Sequence, residues 1–416
     1  MRVAIDAVPL LIRSAGVKNY LYHWIEHLRR IAPPGTIATF PARIDFGPLR
    51  HNASVAGGWR TGTGLAALAL ANYSGLPVLD WLTHGADIFH CSGLTRHPPR
   101  RARLTATIHD MTCWMMPELH PAANLRADRN FEGILRRADG LIAVSESTKR
   151  DAVRVLGLRP EKIAVIHSGI AAPFFDVSGE AMDAVRARYR LNRPFVLFIG
   201  TIEPRKNIDM LLDGYEALPA AVREEFELVV AGPMGWASAE TAGRVRRVRY
   251  LGYVPEPDMA PLTAAATVFA YPSLYEGFGF PVAQAMAAGT PVIASNVSSL
   301  PEITGDAALL IDPRSLGEMR DALSRLLLSP TLRGELAAKG RARAGAFRWE
   351  VCAERSLVFF REVAGGESGA GGSGGESCGT NPISGGGTDG EGVTSGAGGG
   401  GSGFWQRKPR VSREQW

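Results

Sequence analysis

Four stretches of the chain carry residue types that could do chemistry. The first is Gly200-Thr201-Ile202-Glu203-Pro204-Arg205-Lys206-Asn207, directly after the apolar run Phe195–Ile199. A strand-to-helix turn offers free backbone N–H groups and a positive dipole end. Arg205 and Lys206 add cationic side chains there, so this reads as an anion site, most simply for a diphosphate. The second is Tyr271-Pro272-Ser273-Leu274-Tyr275-Glu276-Gly277-Phe278-Gly279-Phe280-Pro281-Val282, after the run Val268–Ala270. Its glycines let backbone amides approach a ligand. Glu276 stands where a carboxylate can accept bonds from sugar hydroxyls; a plain helix cap explains it equally well. The third is Thr107-Ile108-His109-Asp110, at the end of another apolar run. His109 there faces the crevice where α/β proteins bind ligands, although a lone histidine is more often structural. The fourth is Ser14-Ala15-Gly16-Val17-Lys18, between the first strand and the first helix, where Gly16 could meet a phosphate or simply turn the chain.

Together these groups suit a nucleotide diphosphate joined to a sugar. The cations and amides match the diphosphate, and the carboxylate and imidazole match the sugar. No Asp-x-Asp pair or His/Cys cluster suggests a metal, so neither metal nor cofactor is expected. Arg205 and Lys206 would stabilise the charge of a departing diphosphate instead.

The elements that must position these residues are legible as period and length. Val3–Ile5, Ile88–His90, Leu104–Ile108, Leu141–Val144 and Ile163–Ile166 read as buried parallel strands. Amphipathic helical segments lie between them, the first marked by Tyr20, Leu21, Trp24, Ile25 and Leu28. After small residues at Ala171–Glu180 the pattern restarts. Phe195–Ile199, Leu228–Ala231, Val248–Leu251, Val268–Ala270, Val292–Ala294 and Leu309–Ile311 form a second set of strands. The fold class is therefore α/β, with two Rossmann-like doubly wound domains facing a common cleft. We place the domains at residues 1–175 and 176–347. A final helical segment follows at about 348–363.

Beyond Val363 the chain is Gly-rich and lacks apolar periodicity, so residues 364–416 are expected to be a flexible tail. Nineteen of the 48 glycines fall in residues 365–403. Four Lys/Arg against five Asp/Glu from Gly365 onward leave about +6 on the rest, out of +5 for the whole chain. That charge is too diffuse for nucleic acid, and it is compatible with phosphorylated substrates or an anionic membrane surface. The 4 cysteines show neither pairing nor metal-ligand spacing and suggest a reducing compartment. No secretory signal opens the chain, so the expected location is cytoplasmic. The apolar stretch Gly64–Leu82 is interrupted by Asn72, Ser74, Pro77 and Asp80. It reads as a buried helix and turn rather than a membrane span, with peripheral contact at the inner membrane face as the alternative.

The stretch Phe198–Asn207 and the stretch Tyr271–Asp312, including Ala287-Ala288-Gly289-Thr290-Pro291-Val292 and Ser295–Glu302, resemble the family 4 retaining glycosyltransferases of the GT-B fold. The resemblance covers about residues 1–363 and is stronger in the second half. It implies transfer of a sugar from a nucleotide-sugar donor with retention at the anomeric carbon. It places Arg205 and Lys206 on the donor phosphates, with Gly200 and Thr201 in the same turn and Gly16 nearby. It places Glu276 with the backbone of Gly277, Phe278 and Gly279 on the sugar, and His109 beside the sugar on the acceptor side. Tyr253 and Val254 match the loop that borders the base, and Val282 lies in the helix after the glycine turn. The expected catalytic group is His109, Glu276, Arg205 and Lys206. The fold also implies that the final helix, about 348–363, crosses back onto the first domain. The sequence departs from the family pattern at two places: Ala15-Gly16 stands where a glycine pair is common, and the second of two glutamates eight residues apart is Gln284, which would bond the ribose through a neutral amide. The style of Thr201–Asn207 and Ser295–Glu302 leans toward mannosyl transfer from GDP-mannose to a glycan or lipid-linked acceptor in polysaccharide biosynthesis. The alternatives are a nucleotide-sugar epimerase and a non-catalytic nucleotide-sugar-binding module. A Rossmann dehydrogenase is disfavoured, because no G-x-G-x-x-G follows Val3–Ile5.

Overall fold

A computed structural model describes residues 1–13, 16–42, 47–49 and 53–365. Ser14 and Ala15 of the fourth motif, and the tail from 366 onward, lie outside the described residues. Two parallel sheets organise the rest. The first contains β1 (Val3–Asp6), β2 (Ile37–Phe40), β3 (Ile88–Cys91), β4 (Arg103–Ile108), β5 (Gly140–Ala143) and β6 (Ile163–Val165), in the order β2-β1-β3-β4-β5-β6. The second contains β7 (Phe195–Ile199), β8 (Glu227–Ala231), β9 (Arg249–Gly252), β10 (Val268–Tyr271), β11 (Val292–Ser295) and β12 (Ala308–Ile311), in the order β12-β11-β10-β7-β8-β9. The central strands of the second sheet are apolar but for Tyr271 and Ser295 at their carboxyl ends and are fully buried, as helix-covered parallel sheets require.

The direction of winding decides where a ligand can sit. In the second sheet the order reverses between β7 and β10. The crevice at such a reversal, beyond the carboxyl ends of the strands, is where open α/β sheets bind ligands. Both chemistry-bearing turns of this half, Gly200–Asn207 and Pro272–Gly279, leave from these two strands.

The helix Trp349–Gly365 lies against the helix Gly16–Ile31 of the first half. Trp24 Nε1 donates to Ser356 Oγ at 2.9 Å, and Glu350 meets His27 at 3.4 Å and Arg30 at 3.9 Å, so polar contacts help to fix the register of the two helices. Gly140 permits the approach of this helix to β5, since a Cβ there would lie 2.6 Å from Val363.

Two expectations are corrected. Ile37–Phe40 is a strand that the apolar pattern did not reveal; it is a four-residue edge strand whose first half is only partly buried. Gly64–Leu82 is not a buried helix and turn. It forms parts of two helices, Gly58–Tyr73 and Val78–Leu82. Trp59 is 72% exposed, Tyr73 71% and Trp81 64%, so large aromatic side chains stand open to solvent here, with Arg60 over the Trp59 ring at 5.5 Å. Leu65 and Leu68 pack inward, and burial on that side is enough to seat the longer helix. Among the described residues no helix is long and apolar enough to cross a membrane.

Candidate active site

At the end of β7 the chain passes Gly200, whose N–H bonds the Ala231 carbonyl. A short 3-10 turn, Pro204–Lys206, follows. Asn207 then takes a left-handed conformation, φ 53°, and starts the helix Ile208–Glu216. Its side-chain amide donates to the carbonyls of Pro272, 3.1 Å, and Pro313, 2.8 Å. The cationic turn is thereby tied to the turn after β10.

The two turns share one charge cluster. Lys206 Nζ lies 2.6 Å from Glu276 Oε1 and 2.7 Å from the Tyr271 hydroxyl. Arg205 Nη1 lies 3.1 Å from the same Glu276 oxygen and donates to the Tyr275 carbonyl at 2.8 Å. Arg205 Nη2 bonds Glu203 at 2.7 Å. Lys206, Glu276 and Glu203 are all buried. Arg205 Nε is buried with no hydrogen-bond partner. The cations are therefore not solvated helix-start charges; two carboxylates already balance them.

The ionisation of the cluster follows from this packing. Burial pushes the Glu276 carboxyl up, but Lys206 and Arg205 outweigh it and hold the group at about 2. Burial and then the neighbouring Arg205 make Lys206 easier to deprotonate than a free lysine, against the pull of Glu276. Glu276 stays firmly anionic because it faces two cations, whereas for Lys206 burial and Arg205 together outweigh the carboxylates of Glu276 and Glu203. Arg205 is held above its usual range despite burial, by Glu276, Glu203 and Asp110.

Glu276 is not a helix cap. The N-cap of the helix Phe280–Ala288 is Gly279, at φ 94°, a conformation glycine adopts without strain. Gly277 is held for another reason. A Cβ on it would lie 1.7 Å from the His109 carbonyl oxygen, so the loop after β10 meets the loop after β4 at backbone distance. Phe278 is buried against Phe280 and Phe347. The structure thus brings His109 of the first half to Gly277 of the second.

His109 follows β4, and its ring meets Tyr20 edge-on at 4.9 Å. Burial pulls the imidazole down to about 4, with Asp110 acting in the opposite sense, so His109 is neutral at ordinary pH. Asp110 does not bond it; its carboxylate accepts from the backbone and hydroxyl of Thr112, 2.9 and 2.6 Å. Gly16 opens the helix that carries Tyr20, and it is exposed with open space around it.

The other sequence-derived positions lie on further segments of the second half. Thr201 is half-buried after β7, and Tyr253 (exposed) and Val254 (buried) follow β9. Val282 and Gln284 lie on the helix Phe280–Ala288, Val282 buried and Gln284 half-buried.

Several contributors were not singled out from the sequence. The Gly277 carbonyl accepts from the hydroxyls of Ser145, 2.6 Å, and Thr148, 3.0 Å. The Glu276 peptide is held at its N–H by Ser298 Oγ and at its carbonyl by Ser299 Oγ, both 2.9 Å. Tyr275 reaches into the first half and donates to Asp151 at 2.8 Å. The available signal was the Ser145-x-x-Thr148 spacing, a helix-cap pattern beginning just after a strand.

The chemistry of the site is thus two cations and a carboxylate at a topological switch point, with the backbone of His109, whose imidazole is neutral, against the next residue, Gly277. Comparison with known proteins agrees with it. The description "Glycosyl transferases group 1" matches residues 193–329, and "Glycosyltransferase Family 4" matches residues 15–172. O-antigen chain mannosyltransferase B of Escherichia coli is 33% identical over 303 residues, covering 71% of this chain and 76% of that one. The serotype-specific mannosyltransferase WbdA of Escherichia coli is 28% identical over 237 residues; the match covers 55% of this chain and 29% of that longer one. Among solved structures, sucrose-phosphate synthase from Thermosynechococcus elongatus superposes with a TM-score of 0.65 at 22% identity, over 87% of this chain and 99% of that one. Anabaena HepE in complex with UDP and glucose gives a TM-score of 0.65 at 18% identity, over 87% and 100% of the two chains. The fold is GT-B, and the chain belongs to the family 4, group 1 glycosyltransferases.

Proposed function

We propose that the enzyme moves a mannosyl group from GDP-mannose to a glycan or lipid-linked acceptor in polysaccharide assembly, with retention at the anomeric carbon. The observation that carries this reading is the Arg205–Lys206–Glu276 cluster at the β7/β10 reversal, with Gly277 against the His109 backbone. The name of the 33% identical relative, an O-antigen chain mannosyltransferase, supports the choice of sugar and of polymer.

In this reading the donor diphosphate takes bonds from Arg205 and Lys206, helped by the turn at Gly200 and Thr201 and by the helix start at Gly16. Glu276 turns from the cations to the sugar hydroxyls, and the backbone of Gly277, Phe278 and Gly279 lines the sugar. Tyr253 and Val254 border the base, and Val282 and Gln284 lie on the ribose side. Neutral His109 accepts a sugar hydroxyl bond near the acceptor. The acceptor hydroxyl attacks the anomeric carbon on the face the diphosphate leaves. The carbon–oxygen bond to the diphosphate breaks, the new glycosidic bond forms, and the acceptor proton passes to a phosphate oxygen. The two cations stabilise the departing charge in the role a metal plays elsewhere, so no metal is invoked.

A peripheral encounter with the membrane that carries a lipid-linked acceptor fits the helix Gly58–Tyr73. Trp59, Leu70 and Tyr73 are exposed on it, and Arg96 sits over the Tyr73 ring at 5.0 Å. Aromatic side chains beside arginine suit an anionic lipid interface.

The test is a donor panel, with GDP-mannose and UDP-glucose each incubated with and without a mannose-containing glycan. Acceptor-dependent GDP release with a lengthened, retained product is expected. Isomerised donor would instead indicate an epimerase, binding without turnover a non-catalytic module, and release from UDP-glucose alone a different donor.

A further inference from the structure

Glu302 lies outside the charge cluster, yet the active-site loops of both halves depend on it. It belongs to the helix Leu300–Thr304, one residue beyond which the chain enters the turn at Gly305. Its Oε1 accepts the N–H of Glu146 at 2.9 Å, and its Oε2 accepts the N–H of Ser147 at 3.1 Å. These are the first two residues of the helix Glu146–Leu156, in the other half of the molecule. A helix start has unpaired N–H groups and a positive dipole end. Ser145 satisfies the N–H of Thr148 from within. Glu302 satisfies the two preceding ones from across the cleft. A third bond, 2.7 Å, joins it to His167 Nε2. The His167 ring in turn lies 6.3 Å from Phe278 of the glycine loop and 5.5 Å from Phe347.

The same two segments grip the Glu276 loop from opposite sides. Ser298 and Ser299, just before Glu302, hold both ends of the Glu276 peptide unit. Ser145 and Thr148, at the helix start that Glu302 caps, hold the Gly277 carbonyl. Where Gly277 sits against His109 leaves no room for a Cβ, so a small slip between the halves would separate or collide the two loops. Burial raises the Glu302 carboxyl, but the bonds from His167 and the two amides outweigh it and hold the group below the usual carboxylate range.

We infer that Glu302 is a positioning residue for glycosyl transfer: by capping the helix Glu146–Leu156 from the opposite half, it sets the register of Glu276 against His109 without touching the donor. The inference rests on the proposed function. It assigns to the turn Ser298–Glu302 the task of coupling closure of the two halves to assembly of the site. The helix start becomes fully capped only when the halves stand in the register that also seats Gly277.

Glu302→Gln keeps the shape but replaces one acceptor oxygen with an NH2 that faces a backbone N–H. The expected result is a ten- to hundredfold lower kcat for GDP-mannose. The calorimetric Kd for GDP should stay within twofold of wild type, because Arg205 and Lys206 are untouched. Thr148→Val, which loosens the same loop from the other side, should lower kcat several-fold, also with unchanged GDP binding. The double variant should lose less than the product of the two single effects. Unchanged kcat in Glu302→Gln would overturn the inference. So would GDP binding weakened in proportion to kcat, which marks general damage, and so would fully multiplicative effects. If Glu302→Gln proves unfolded, the Thr148→Val split between kcat and Kd decides alone. A wild-type chain that binds GDP but transfers no sugar would sink the proposed function; a wild type that transfers, with an equally active Glu302→Gln, would sink only this inference.

Discussion

Replacing Glu276 with glutamine separates the two things the carboxylate does. The side chain keeps its shape and an oxygen for Lys206, but the cluster gains a net positive charge. Glu276 lies against both cations, at 3.1 Å from Arg205 and 2.6 Å from Lys206. A phosphate bonded to the same nitrogens would stand about 5 Å from the carboxylate. At an effective dielectric of about 20, two unit charges at that separation repel by roughly 3 kcal/mol. Water and side-chain relaxation offset part of this, so GDP should bind Glu276→Gln about tenfold more tightly, a change of about 1.4 kcal/mol. Turnover of GDP-mannose should fall at least about a hundredfold, since the sugar loses its charged acceptor. Stability moves the other way. The carboxyl sits at about 2 against the usual 4.5. A depressed carboxylate stabilises the fold above the unfolded value, and that contribution, up to roughly 3 kcal/mol, is lost as pH falls from 4.5 toward 2. The variant should therefore melt lower than wild type at pH 7, and the gap should close as both are acidified. Calorimetric GDP titration, steady-state turnover and thermal melting measure the three quantities. GDP binding that weakens along with turnover would refute the electrostatic reasoning.

Gly277→Ala places a methyl 1.7 Å from the His109 carbonyl, so the halves cannot meet in their present register. Turnover should drop by at least about a hundredfold while GDP still binds, and wild-type activity would contradict the close approach. On the proposed reading Gln284→Glu puts a charged acceptor on the ribose side and should tighten donor binding a few-fold by calorimetry; unchanged or weaker binding would remove the role proposed for that position. His109, at about 4 when folded against an ordinary 6.5, is held as the neutral base. Below 6.5 the unfolded chain takes up the proton first, so this site costs stability as pH falls from 6.5 through 4. His109→Asn cannot titrate, and its melting temperature should rise relative to wild type between pH 7 and pH 4.5. Parallel curves would show that the imidazole is not desolvated.

The chemistry-bearing turns were legible because they are local. Phe195–Asn207 and Val268–Ala288 each put a run of buried apolar residues, a turn with glycine or cation, and a helix within some twenty positions, and the structure retains that order. The strand Ile37–Phe40 escaped because an edge strand of four residues, half of it only partly buried, shows no continuous apolar run. The helix Gly58–Tyr73 misled for the opposite reason: Arg60 is its one charged residue and apolar side chains lie on both faces, so periodicity could not tell which side is buried. The bonds of Glu302 to Glu146 and Ser147 join residues about 155 positions apart. Glu302 stood inside a stretch read for its family likeness, but the geometry that gives it work exists only once both sheets have formed. Glu203 likewise appeared in a motif without a role, and its buried bond to Arg205 depends on how the 3-10 turn folds back.

Lys206→Ala tests the central claim most directly. Lys206 bonds Glu276 and Tyr271 and lies under the proposed diphosphate site. The measurement is acceptor-dependent GDP release from GDP-mannose by the variant beside wild type, with GDP affinity taken on the same preparations. The account predicts at least a hundredfold loss of turnover together with weaker GDP binding. Full turnover in Lys206→Ala would contradict it and would move the site of glycosyl transfer elsewhere in the molecule.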